Sequence, residues 1–145
     1  MENQLHFISL LELAKSIAVV AHENQFDKSG RPYINHPETV AAYCETTYAK
    51  IVGWLHDVVE DTPVTLEALK LLGFDDFLLE ALRCVTKEEG YDEKEYYARI
   101  KANPIAREVK LADLKHNIDL SRLKNITEKD IKRNEKYKAN IEYLK

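Results

Sequence analysis

His56 and Asp57 stand side by side in the chain, and Glu60 and Asp61 follow about one helical turn later. They interrupt an apolar run, Ile51, Val52, Leu55, Val58 and Val59, whose spacing is that of a core helix. A core helix carries titratable groups only where something pairs them, because a lone buried charge is costly. On a continuous helix over 50–61, Asp57 and Asp61 fall on one line and His56 and Glu60 on another. By itself the run fits a salt-bridged, half-exposed helix as well as a metal site.

Two more residues of this kind lie elsewhere. His36 opens a helix just before Pro37, and Asp113 sits inside the apolar stretch Val109-Lys110-Leu111-Ala112-Asp113-Leu114. Together with His56 and Asp57 they make a mixed nitrogen and oxygen set suited to Mn²⁺, Fe²⁺, Co²⁺ or Zn²⁺, octahedral if waters complete it. No thiolate takes part, which disfavours a structural zinc. An ion with open positions makes water acidic near neutral pH, and Glu60 and Asp61 are placed to orient that water or take its proton. The plainer alternative makes His36 an ordinary helix-start residue and pairs Asp113 with Lys110 or Lys115. It leaves unexplained why such residues recur in apolar surroundings on three separate segments.

The elements that must position these residues are helices. Leu5 to His22 is amphipathic, with Leu10, Leu13, Ile17 and Val20 at three- and four-residue steps. A polar loop follows, broken by Gly30 and Pro32. A second helix starts near His36-Pro37, and the His-Asp helix is expected from Lys50 to Asp61, stopped by Thr62-Pro63. Thr65 reads as an N-cap closed by Gly73, and Asp75 or Asp76 opens the next helix. A charged helix spans Asp92 to Asn103, and a long one is expected over 105–123. Thr127 with Asp130 opens the last. No strand-like alternation or internal repeat occurs. The expectation is one all-α domain over 1–145, a bundle of about seven to eight helices.

Composition sets limits on function. The chain has 145 residues, 45% hydrophobic and 32% charged, enough for one folded core. Cys44 and Cys84 form no paired spacing, which fits a reducing, cytoplasmic setting. Glu12 and Lys15 interrupt the apolar stretch 5–21 and no basic segment precedes it, so neither a signal peptide nor a membrane span is expected. The net charge of −4 argues against a nucleic-acid module. Residues 122–145 carry eight Lys/Arg against four Asp/Glu, interleaved as on a solvated helix face. No glycine-rich phosphate loop, zinc-protease motif or nucleophile elbow is present.

The ordered series Ala21-His22…Gln25, Ser29-Gly30-Arg31-Pro32-Tyr33-Ile34-Asn35-His36-Pro37, Leu55-His56-Asp57-Val58-Val59-Glu60-Asp61-Thr62 and Lys110-Leu111-Ala112-Asp113…His116-Asn117 resembles the HD-domain hydrolases of the RelA/SpoT group. It is most similar to the small stand-alone members, over nearly the whole chain. The resemblance implies an HD-type helical bundle that removes the 3′-pyrophosphate of an alarmone nucleotide. It implies Mn²⁺ on His36, His56, Asp57 and Asp113, and water activation by Glu60 and Asp61. It places Asn117 near the nucleoside and Lys28 in the loop facing base and phosphates. Where the guanosine hydrolases carry basic residues, this chain has Asp27 and Asp119, which leaves guanosine and adenosine alarmones both open. The alternative is a non-catalytic nucleotide-binding module on the same fold. A polyanionic substrate needs further cations. Lys28 and then Arg99 are the first choices, with Arg31, Lys110 and Arg122 behind them, and Tyr33 is the first hydroxyl donor. No nucleic-acid or membrane partner is expected, and the oligomeric state is open.

Overall fold

The computed structural model describes residues 2–145, with side chains from Gln4 onward. Among these residues there are nine α-helical segments and one 3-10 turn, and the only β-pairing is an isolated bridge between Phe26 and Pro32. In order they are α1 (Glu2–Ala21), α2 (Asn35–Tyr43), α3 (Thr47–Leu55), α4 (Val58–Asp61), α5 (Leu66–Leu71), α6 (Asp76–Val85), α7 (Glu93–Ala102), α8 (Pro104–Asn117), the 3-10 turn Leu120–Arg122, and α9 (Glu128–Leu144).

Helix α3 is the centre. Its residues Ile51, Val52, Gly53, Trp54 and Leu55 are all buried, and it packs against α1, α2, α6 and α8. Burying Ile51, Val52 and Leu55 stabilises by roughly 1.5–3 kcal/mol each before chain entropy is counted. Helix α8 is the second hub, touching α2, α3, α6, α7 and α9. Helices α2 and α3 approach tightly at Gly53. A Cβ on Gly53 would stand 3.2 Å from the Cα of Ala41 and 3.3 Å from its nitrogen, so a side chain here would need the Ala41 backbone to give by a few tenths of an ångström.

Local signals account for most of the ends. Thr46, Thr65, Asp92 and Asn103 each accept a backbone N–H of the following helix. Thr127 and Asp130 form a reciprocal capping box despite the shorter acid. Asp75 occupies the N-cap position of α6 but its carboxylate makes no cap, meeting His6 Nε2 at 2.6 Å instead.

Two expected helices differ. The helix expected over 50–61 is split: His56 and Asp57 form a turn between α3 and α4, with Asp57 at φ −104°, ψ −2°. The helix expected to reach 123 ends at Asn117, and Asp119 caps the 3-10 turn by accepting from Ser121 N at 3.0 Å. By length and mean hydropathy (1.4) Gln4–Ala21 could cross a membrane. Here its stripe Leu10, Ala14 and Ala18 lies in the core.

Candidate metal centre

The centre is assembled from three places: the first turn of α2, the corner between α3 and α4, and the last turns of α8. His36 Nε2 lies 2.8 Å from Asp113 Oδ1 and 3.9 Å from Asp57 Oδ2. His56 Nε2 lies 3.0 Å from Asp57 Oδ2 and 3.5 Å from Asp113 Oδ1. The donor atoms of His36, His56 and Asp57 all fall within 4.8 Å of one another. Both imidazoles and Asp113 are buried.

The contact of His36 Nε2 with Asp113 Oδ1 is a hydrogen bond, but those of His56 Nε2 are not. His56 Nε2 is buried, close to two carboxylates, and aligned with neither, so it is an orphaned polar atom. Its other nitrogen, Nδ1, is held 2.7 Å from the Gly53 carbonyl, which fixes the proton there and leaves Nε2 facing the carboxylates. Two imidazole nitrogens and the Asp57 carboxylate in one group, with Asp113 Oδ1 within reach of both imidazoles, fit a divalent transition ion.

Each converging side chain has an outer partner. Tyr33 Oη donates to Asp57 Oδ2. Lys110 Nζ donates to Asp113 Oδ2 at 2.9 Å, and Asn117 Nδ2 to Asp113 Oδ1 at 3.2 Å. His36 Nδ1 meets His116 Nδ1 at 2.7 Å. Such outer contacts orient metal-binding side chains. Lys110 is itself buried, with its ammonium 5.4 and 5.8 Å from the ring centres of Tyr96 and Tyr97.

The electrostatics follow from this crowding. Burial lowers the His56 imidazolium's proton affinity, but the Asp57 and Asp113 carboxylates override it and push its pKa well above the ordinary 6.5. Burial pushes the Asp57 carboxyl up, and His56 overrides that, holding it at about 2. Asp113 is likewise raised by burial and carried well below the carboxylate range, chiefly by Lys110. His116 falls to about 4, through burial first and then the charges of Arg122 and His36, so it stays neutral.

Glu60 and Asp61 stand beside the centre on α4. The carboxylate oxygens of Asp57, Glu60 and Asp61 also group within 4.8 Å. Burial raises the pKa of both, and Asp57 raises each further. The Lys87 N–H donates to Glu60 Oε1 at 2.7 Å and opposes this rise.

His36, His56, Asp57, Glu60, Asp61 and Asp113 open onto a cavity of about 470 Å³. Lys28, Tyr33 and Asn117 line it. Tyr33 and Asn117 also use their polar groups on Asp57 and Asp113. Arg99 is the correction: it lies off the cavity, its guanidinium donating to the Cys84 carbonyl at 3.3 Å beside the Tyr96 ring. Lys87, Arg133, Asn134 and Tyr137 line the cavity and were not singled out in the sequence. Asp27 and Asp119 lie at its rim, each with Oδ1 engaged in a local turn: Asp27 accepts from Ser29 N and Arg31 N, and Asp119 from Ser121. Ser29 Oγ donates to the Arg122 carbonyl at 2.6 Å and ties the two rim segments together.

The chain is similar to several known proteins. The guanosine-3′,5′-bis(diphosphate) 3′-pyrophosphohydrolase of Haemophilus influenzae is 50% identical over 58 residues, 37% of this chain and 9% of that protein. The bifunctional (p)ppGpp synthase/hydrolase SpoT of Escherichia coli K12 is 36% identical over 126 residues, 77% of this chain and 18% of that protein. A 3′-pyrophosphohydrolase of Borreliella burgdorferi is 34% identical over 121 residues, 72% and 18%. The chain thus spans under a fifth of the length of these relatives. Among solved structures, a metazoan ortholog of SpoT that hydrolyzes ppGpp superimposes with a TM-score of 0.68 at 25% identity, covering 96% of this chain and 84% of that one. No family model matches. The fold is the all-α, HD-type bundle that the resemblance implied, and the similarity to the RelA/SpoT hydrolases holds in both sequence and structure.

Proposed function

We propose that this chain is a metal-dependent 3′-pyrophosphohydrolase of an alarmone nucleotide of the guanosine kind, acting in the cytoplasm. The observation that carries the reading is the convergence of His36, His56, Asp57 and Asp113 around the orphaned Nε2 of His56, with two acids of raised pKa beside it. Those four residues would hold the ion, Mn²⁺ by family resemblance. When bound, the ion supplies Lewis-acid polarisation of a phosphoryl oxygen and acidification of water.

The chain's own residues do the rest. Glu60 and Asp61 take the proton of the attacking water, and their raised pKa makes their ionised forms better bases. Lys28 faces the substrate's phosphates from the rim loop, with Arg122 and Arg133 adding charge to the same cavity. Tyr33 and Asn117 steady Asp57 and Asp113 and present their remaining polar surface to the nucleotide. In the reaction, water adds to the 3′-linked phosphorus, the bond to the 3′-oxygen breaks, and pyrophosphate leaves as that oxygen gains a proton.

The test is product analysis by ion exchange. Purified protein with Mn²⁺ is incubated with guanosine and adenosine 3′-pyrophosphates, nucleoside triphosphates and nucleoside monophosphates. Pyrophosphate from the guanosine alarmone is expected. Orthophosphate from another nucleotide would keep the centre but reassign the substrate. No product, with metal and nucleotide both shown to bind, would replace the enzyme by a nucleotide-binding module.

A further inference from the structure

His116 has no role in the reading so far beyond its contact with His36. It is buried in the last turn of α8. Its ring lies nearly parallel to that of His36, 15° between planes and 5.0 Å between centres. The two Nδ1 atoms are 2.7 Å apart. Two ring nitrogens at that distance share one proton: one donates and the other accepts. The direction of that bond is tied to what His36 Nε2 does on the other side of its ring.

With no ion, His36 Nε2 can carry the proton and donate to Asp113 Oδ1 at 2.8 Å. His36 Nδ1 is then the acceptor and His116 the donor. An ion on His36 Nε2 needs the lone pair there. The His36 proton must then sit on Nδ1 and be donated to His116 Nδ1, which puts the His116 proton on Nε2.

We propose that His116 is a positioning residue that fixes the tautomer of His36, and that the hydrogen bond between the two rings reverses direction when the metal centre fills. This rests on the reading of His36 as a metal ligand. A carboxylate or carbonyl in place of His116 could only accept. Imidazole serves both states, because each of its nitrogens can donate or accept.

The direct test is ¹⁵N NMR of histidine-labelled protein, metal-free and loaded with diamagnetic Zn²⁺. On loading, the protonated nitrogen of His36 is expected to change from Nε2 to Nδ1, and that of His116 from Nδ1 to Nε2. His36 Nδ1 remaining unprotonated in the loaded protein would overturn the proposal. The second arm compares His116→Leu with His116→Asn, whose amide oxygen can accept near the position of Nδ1. Loss of an outer partner typically weakens metal binding about 10–100-fold. That loss is expected in His116→Leu, with most of the affinity recovered in His116→Asn while metal-free helicity and Tm match between the two. Equal weakening in both variants would reduce His116 to a packing residue. Wild-type protein that binds no divalent ion would instead remove the metal centre, and this proposal with it.

Discussion

Asp113 shows how one side chain ties catalysis to stability. Its Oδ1 faces the imidazoles and its Oδ2 neutralises the buried Lys110. Removing one member of a buried ion pair costs about 3–5 kcal/mol, because the other charge is left unpaired. Asp113→Ala is therefore expected to lose both activity and that much stability in urea unfolding, and the double variant with Lys110→Met to regain the stability alone. Asp57→Ala lacks a buried lysine partner. It should lower kcat/KM by about 10³-fold or more with a smaller change in stability. Equal destabilisation in the two single variants would contradict the role given to Lys110.

The same residues set a pH dependence. His56 has its folded pKa raised, so in the metal-free protein its contribution to stability is full below 6.5 and is lost as pH rises through the folded value. Asp57 is lowered to about 2 from 3.8, so its contribution is present above 3.8 and is lost as pH falls toward 2. A metal ion must displace the proton from His56 Nε2. Metal affinity measured by titration calorimetry should therefore rise with pH across the neutral range, with proton release on binding. A pH-independent affinity would mean that His56 is not a ligand. His56, Asp57, His36 and Asp113 were legible in the sequence because polar groups in apolar surroundings demand partners. Arg99 misled because nearness in sequence to α8 does not tell which way a side chain points. Lys87, Arg133 and Tyr137 were hidden among many similar residues on solvated segments.

At the scale of elements, the corner at His56-Asp57 matters most. Apolar residues recur at helical spacing on both sides of His56-Asp57, and no glycine or proline marks a break after Gly53. A continuous helix was the natural reading. The break lies in the backbone angles of Asp57, a property of the folded site that periodicity does not encode. Where α8 ends is similarly a local matter, since Asp119 offers the following turn a cap. Gly53 links the elements on either side. Gly53→Ala would press a methyl on the Ala41 backbone at 3.2 Å and part α2 from α3. Overpacking of this kind costs about 1–3 kcal/mol. Since α2 carries His36, metal affinity should fall together with Tm. A variant that loses Tm and keeps wild-type affinity would show that α2 can shift without moving His36. Thr127→Ala, which removes one half of the α9 capping box and touches none of the candidate ligands, should cost about 1 kcal/mol and leave metal affinity unchanged.

For the whole molecule, the bundle class followed from the absence of strand alternation and from a succession of caps and apolar stripes. How the helices meet was not legible, because it depends on contacts between residues such as Ala41 and Gly53 that the chain separates. An ion that binds only the folded state should stabilise it by about 2.7 kcal/mol at a hundredfold excess over Kd. Scanning calorimetry should show Tm rising with Mn²⁺ and returning with a chelator. A Tm indifferent to both would count against the centre.

The candidate ligands come from α2, the α3–α4 corner and α8, segments whose mutual packing forms the middle of the molecule. Cobalt placed there would therefore act as an optical gauge. Its visible absorption depends on the coordination geometry, and here that geometry depends on how three helical segments sit together. A compact state that keeps its helices but loosens their packing would retain its far-ultraviolet circular dichroism and lose the cobalt colour. The two signals, followed through one unfolding experiment, would separate loss of packing from loss of helix without any added label.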